Sequence, residues 1–414
     1  MSLKNFIGYK CVACGKEYGI DTFRYICGSC KNNLVLLLDF ENLKKKISRV
    51  NFGNNRNYNI WRYLDLLPVD SRESLIPLQI GWTPLYKIQS SERKIGLKNL
   101  YIKDDGRNPS ASFKDRAGAV ALLNAIEQKA EIITGASTGN AASSMACLAA
   151  SMGISPVIFL PKAAPVAKIA QLLVFGAKVF AVNGSYDEAF DLCLKATEKF
   201  GWYNRNTGYN SFTREGKKTC AFEIIEQMNW NVPDKVFVPV GDGNIIAGIW
   251  KGFKDFYSLG LIDKLPQMIA AQAEGSAAIA DAVISGGDLK PVSAKTIADS
   301  ISVDIPRDGL LAVKSIIESK GETVKVSDDD ILESIKDVAR LAGVFGEPAG
   351  VTGYAGLKKM ISQGKIKPDD KIVVIVTGNG LKDVVSAQKA AGQPFQIEPS
   401  IEEFEEIYNK ISKV

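Results

Sequence analysis

The feature that most restricts the fold is an alternation of short apolar runs with longer, helix-patterned segments. From residue 131, EIIT leads into the turn GASTGN and the small-residue segment AASSMACLAASMG; SPVIFLP, AAPVAKIAQLLVFGA (163–177), KVFAV and SYDEAFDLCLKATEKFG continue the series. Runs such as PVIFL are apolar throughout, as strands of a parallel sheet are when helices cover both faces. The pattern returns at DKVFVPV (234–240), with its loop GDGN and the helical IIAGIWKGFKDFYSLG, then at QMIAAQAEG and at KIVVIV (371–376). A further helix is expected around DDDILESIKDVARLAG, and residues 285–310 are less regular. The series predicts an α/β fold with two open, mostly parallel sheets flanked by helices. Before it, NIWRYLDLLPV (59–69) reads as a helix that docks through its aromatic residues.

Composition removes whole classes of chemistry. The chain of 414 residues contains no histidine, which excludes Ser–His and Cys–His mechanisms and histidine-ligated catalytic metals. Proton transfers must then use lysine, carboxylates, tyrosine, a cofactor or the substrate. A net charge of +5 is mild, and the longest basic run is LKKKI (43–47), so no nucleic-acid partner is expected. No apolar stretch reaches the ~20 residues that span a bilayer, and MSLKNFIGYKC lacks a signal-peptide core. A cytoplasmic location without membrane partners is therefore expected.

Four of the seven cysteines are patterned. Cys11 and Cys14 form CVAC, Cys27 and Cys30 form CGSC, and twelve residues separate the pairs. Two C-x2-C pairs close a tetrahedral thiolate shell, with Gly15 and Gly28 available for the tight turns and the intervening residues suited to a short β-hairpin. This reads as a structural Zn2+ ribbon; two disulfides are the alternative, which a reducing compartment disfavours. Cys147, Cys193 and Cys220 fall in apolar helical patterns and read as core.

Ligands of open α/β sheets bind beyond the carboxyl ends of the strands. Four loops rich in Gly, Ser, Thr or Asn occupy such places: 108–114, 135–140, 241–245 and 377–383. In PVGDGNII, Gly241 and Gly243 bring backbone N–H groups together at a helix start, an anion cradle without the Lys-Ser/Thr ending of a nucleotide P-loop. GASTGN offers the Ser137 and Thr138 hydroxyls and the Asn140 amide to a carboxylate or phenolic oxygen; capping of the next helix is the alternative. Thr377 of TGNG stands where a ring nitrogen can meet its hydroxyl. Lys114, in NPSASFKDR, sits at a loop-to-helix junction. A phosphate cradle, an Asn, a Thr and one junction lysine together suit pyridoxal 5'-phosphate, bound to the lysine as a Schiff base.

NPSASFKDR, ASTGN, PVGDGN, GEPAG (346–350) and TGNGLKD, with WRYLDLLPV and GWTPL (81–85), resemble the threonine synthase family of fold-type-II pyridoxal-phosphate enzymes. The resemblance implies conversion of O-phospho-L-homoserine and water to L-threonine and phosphate. It implies Lys114 as the catalytic and cofactor-bearing residue. Ser137, Thr138 and Gly139 would take the substrate carboxylate, and Asn140 the cofactor's 3′-oxygen. Gly241, Asp242, Gly243, Asn244 and Ile245 would surround its phosphate, and Thr377 its ring nitrogen. Glu347 is expected to position neighbours. Two departures stand out: Ala141 replaces a common threonine, and the phosphate segment reads NRNTGYNSFTREGKKT (204–219), where Arg205 or Arg214, or else Lys217 or Lys218, supplies the charge. Alternatives are a threonine/serine dehydratase, a phosphoserine-using β-replacement enzyme, or a zinc-ribbon adaptor with an inactive body. The implied domains are a ribbon (1–40), an amino-terminal part of the large domain (41–100), a smaller α/β domain (101–204) and the large cofactor-binding domain (205–414), in a homodimer.

Overall fold

The structure, a computed structural model, describes residues 3–70, 75–164 and 166–412. Its first sheet is antiparallel and three-stranded, with β1 (Phe6–Cys11) between β2 (Glu17–Gly19) and β3 (Leu34–Leu38). The hairpin therefore straddles the first cysteine pair instead of lying between the two pairs. Residues 20–26 add only the bridge Ile26–Asn33. In each pair the residue after the second cysteine takes the left-handed conformation, Gly15 at φ 73° and Lys31 at φ 60°. Gly28, expected to serve that purpose, is not in that region.

The apolar runs form two further sheets. Their strands are β4 (Leu85–Lys87), β5 (Asn99–Asp104), β6 (Ile133–Ala136), β7 (Val157–Pro161), β8 (Lys178–Val182), β9 (Tyr203–Asn204), β10 (Lys235–Pro239), β11 (Gln267–Ala273), β12 (Glu322–Val326) and β13 (Lys371–Val376). One sheet has the order β8-β7-β6-β9 and is parallel; the other has the order β12-β11-β10-β13-β5-β4, with only the edge strand β4 antiparallel. Val236, Phe237 and Val238 of β10 and Val373, Val374 and Ile375 of β13 are wholly buried, as expected for central strands covered on both faces. Two elements differ from the sequence pattern. β5 pairs along its length with β13, so residues 101–104 belong to the larger sheet and not to the smaller domain. β12, unmarked by any apolar run, is an edge strand whose outward residues are polar.

The segment 59–69 is helical only over Ile60–Leu66, as a 3-10 helix, and its aromatic residues are buried as expected. Arg62 pairs with Glu226 at 2.7 Å, and the Tyr63 hydroxyl donates to the same carboxylate. The helix expected over 163–177 is observed as Val166–Val174; Pro165 lies outside the described residues.

The helix Lys114–Glu127 is fixed to the large sheet by charge. Arg116 donates to Asp105 (2.6 and 2.9 Å) and to Glu223 (2.5 and 2.8 Å), and Lys103 donates to Glu223 at 2.6 Å. All four side chains are fully enclosed, and two cations balance two anions. Burial alone would raise the Glu223 carboxyl, but Arg116 and Lys103 outweigh it and pull it down to about 2. A depressed carboxyl stabilises the fold above its ordinary value of 4.5, and that contribution is lost as pH falls through about 2. Glu223→Gln leaves Lys103 buried without a carboxylate and Arg116 with Asp105 alone, and we expect it to cost about 3 kcal/mol in chemical denaturation at pH 7. The difference from the wild type should narrow as the pH is lowered below 4.5.

Candidate active site

The loops beyond the carboxyl ends of β6, β10 and β13 meet around one cavity of about 450 Å³, which Lys114 also lines. Lys114 is brought there by stitching between two distant segments. Phe113 N donates to Thr377 O (2.8 Å), Asn379 N to Ala111 O (3.1 Å), and Ser112 bridges to Gly378. Asp115 holds the turn from its other side, accepting from the Ser110 N–H and hydroxyl, each at 2.6 Å. The Lys114 amine makes no hydrogen bond or ion pair among the described residues. Burial holds its pKa below the ordinary lysine range, against the pull of Glu347 and Asp242, and so enlarges the share of reactive neutral amine.

The helix Asn140–Ser151 starts at Gly139 without a side-chain cap, so neither Ser137 nor Thr138 acts as one. Its first N–H groups remain available to an anion. Asn140 Nδ2 donates to Glu347 Oε1 at 2.7 Å, which fixes the rotation of the amide. Glu347 is in turn held by Gly378 O, which accepts from its N–H at 3.0 Å. A Cβ at Gly378 would stand 2.3 Å from Glu347 Oε1, so any side chain there must displace the Glu347 carboxyl.

The third loop has the form of a cradle. Gly243, at φ 88°, precedes the helix Asn244–Ser258, which also lacks a side-chain cap. A Cβ at Gly241 would meet Ile301 Cα at 2.6 Å, and one at Gly243 would meet Ala312 Cβ at 2.8 Å. Asp242 faces inward, and burial and Asp308 raise its carboxyl to about 6. Ile245 and Thr377 complete this wall, and the Thr377 hydroxyl has no partner among the described residues.

The candidate cations separate. Arg205, at the end of β9, is buried and lines the cavity with Nε and Nη2 unbonded; burial pushes its pKa down to about 10. Arg214 does not line the cavity. Its guanidinium grips Asp308 (2.9 and 2.8 Å) and donates to Leu34 O of the ribbon. Lys218 is likewise spent, on Glu215 and Asp255. Lys217 reaches the cavity. The sequence pattern missed residues 299–307, which close one side of the cavity and tie to the smaller domain through Arg307–Asp187 (3.0 Å) and Lys168–Asp299. The signal was the irregularity itself, since long aperiodic stretches in compact domains tend to be functional.

At the ribbon, the Sγ atoms of Cys11, Cys14, Cys27 and Cys30 lie within 4.8 Å of one another, and all four thiols are free. The Tyr18 hydroxyl and the Cys30 N–H pull the Cys27 thiol down to about 5, toward the thiolate that a metal ion binds.

An unpaired lysine, a glycine turn at an uncapped helix start and a free hydroxyl in the cleft between two α/β sheets match the layout of a fold-type-II pyridoxal-phosphate site. The family model described as "Pyridoxal-phosphate dependent enzyme" matches residues 76–378, and the chain belongs to that family. It is 40% identical to a threonine synthase of Methanocaldococcus jannaschii, over 94% of this chain and 96% of that one. It is 37% identical to one of Methanosarcina acetivorans, over 96% and 97%. Among solved structures it is similar to processed threonine deaminase isoform 2 of Solanum lycopersicum, with TM-score 0.65 and 25% identity over 75% of this chain and 83% of that one. Maize serine racemase shares the fold, with TM-score 0.63 and 21% identity over 80% of this chain and 93% of that one.

Gly378→Ala should push Glu347 off Asn140. We expect kcat to fall at least ~10-fold with the circular dichroism spectrum unchanged; steady-state kinetics beside the spectrum checks this.

Proposed function

We infer that the chain acts as a threonine synthase, converting O-phospho-L-homoserine and water to L-threonine and phosphate. The observation that carries the reading is Arg205, a buried guanidinium that lines the cavity and whose Nε and Nη2 have no partner among the described residues. A second phosphate group on the substrate meets that need, and a dehydratase substrate does not.

The residues fit the cofactor. Without a Cβ at Gly241 and Gly243 the turn packs closely on Ile301, Asp308 and Ala312. The helix start it leads into has no side-chain cap and is open to a phosphate, and Lys114 offers an unpaired amine. When bound, pyridoxal phosphate supplies an electron sink for charge developing on the substrate carbons. The turn 241–245 would hold its phosphate, Asn140 its 3′-oxygen and Thr377 its ring nitrogen. A hydroxyl there, in place of a carboxylate, would leave the nitrogen largely unprotonated. Ser137, Thr138 and Gly139 hold the substrate carboxylate at the uncapped helix start, and Arg205 holds its phosphate. Lys114 moves protons at Cα and Cβ; its lowered pKa suits it to act as base and then as acid. Residues 299–307 close one side of the cavity and so restrict the access of water from that side.

We further propose a structural Zn2+ on Cys11, Cys14, Cys27 and Cys30, supported by the clustered sulfurs. A homodimer and a cytoplasmic location are also proposed, the latter supported by the free thiols. Among the described residues no helix is long and apolar enough to cross a membrane.

Purified protein given O-phosphohomoserine should release phosphate and threonine in equal amounts. Keto acid from threonine or serine, with phosphohomoserine untouched, would sink the reading in favour of a dehydratase. Arg205→Met should raise KM for phosphohomoserine on the order of 100-fold. Metal analysis should find one zinc per chain, lost in Cys11→Ser/Cys14→Ser, and sedimentation should give twice the chain mass.

A further inference from the structure

The buried cations of this chain fall into two groups. Arg62, Lys103, Arg116, Arg214 and Lys218 each form an ion pair. Arg205 and Lys217 are as deeply buried, yet neither has a carboxylate within ion-pair distance among the described residues. Both line the cavity. A buried charge without a partner is costly, and such cations persist where an anion completes them. Arg205 is accounted for by the substrate. Lys217 is not.

Lys217 lies on the cradle's side of the cavity. Its Nζ donates to Asn244 Oδ1, and Asn244 is the first residue of the helix that follows Gly243. Its stem runs along the same helix, where a Cβ at Gly248 would stand 2.7 Å from Lys217 Cβ. The aim of the amine is set from behind. Asn244 Nδ2 donates to Asp308 Oδ2 at 2.5 Å, which turns the amide oxygen toward Lys217. Asp308 is occupied in turn by Arg214 and by Asn33 of the ribbon, whose Nδ2 donates at 2.8 Å. Asp308 therefore orients the amine without pairing to it. Of three N–H donors on Lys217, one is used, so two remain for a ligand. Burial pushes its pKa well below the ordinary lysine range, with Lys114 and Arg205 adding repulsion; an anion in the turn 241–244 would reverse this.

We propose that Lys217 is a cofactor-binding residue, its ammonium supplying the counter-charge for the phosphate held in the turn 241–244, with Asn244 and Asp308 as positioning residues. The proposal rests on the reading of this cavity as a pyridoxal-phosphate site. It divides the cavity between two phosphates and two cations, Lys217 for the cofactor and Arg205 for the substrate.

The test compares two aldehydes that differ only in the phosphate. Apo wild type, Lys217→Gln and Lys217→Arg are titrated with pyridoxal 5'-phosphate and with pyridoxal, following near-visible absorption. Lys217→Gln should weaken the phosphate ester on the order of 100-fold and leave pyridoxal within about threefold, and Lys217→Arg should recover most of the loss. Equal losses for both aldehydes would reduce Lys217 to a packing role and overturn the proposal. Unchanged binding of both, with a raised KM for phosphohomoserine, would overturn it by moving Lys217 to the substrate. If the wild type bound neither aldehyde, the cofactor reading itself would fall.

Discussion

The site depends on one buried guanidinium. Arg116, two residues past Lys114, binds Asp105 next to β5 and Glu223 on the helix Thr219–Gln227, while Thr83 and Thr219 are also within its reach. This arrangement fixes where the helix Lys114–Glu127 begins, and so where the lysine stands relative to Thr377. Planar, bidentate geometry makes an arginine suited to this, since each bond restricts direction as well as distance. The network is fully enclosed and charge-balanced, which is the condition under which buried ions stabilise a structure.

Around the cavity the same physics is deliberately left incomplete. Lys114, Lys217 and Arg205 are basic groups in a low-dielectric setting, and none has a carboxylate partner among the described residues. Their mutual repulsion and lost hydration are offset only when anions enter, so stability is given up locally in favour of binding. The carboxylates nearby are otherwise engaged: Glu347 orients Asn140, Asp308 holds Arg214 and Asn244, and Asp242 accepts from Arg307 N–H. The ribbon joins this arrangement through Asn33 and Leu34, so it buttresses the cradle from outside. Tyr25 of the ribbon adds a second contact, accepting from Asn204 N–H at 2.7 Å just before Arg205.

Much of this was legible in the chain. The strands β6, β7, β10 and β13 announce themselves because central strands are apolar on both faces. β12 did not, since an edge strand exposes one side, and the pairing of β5 with β13 was not legible because strand order is not encoded locally. The loops carrying Lys114, Asn140, Gly243 and Thr377 were legible because each needs a specific backbone or side-chain property at a fixed place. Arg205 and Arg214 could not be told apart: both are arginines in one polar segment, and only their surroundings differ.

The sequence by itself determined the α/β layering, the thiol pairs, the absence of histidine chemistry and the presence of both a junction lysine and a glycine turn suited to an anion. These follow from local periodicity, spacing and residue type. Tertiary structure alone decided which cations are free. Arg214 is neutralised by Asp308, a carboxylate 94 residues away, whereas Arg205 and Lys217 are not neutralised. Burial and pairing arise from segments brought together across the fold, and a residue's charge becomes useful or structural only when its neighbours are in place.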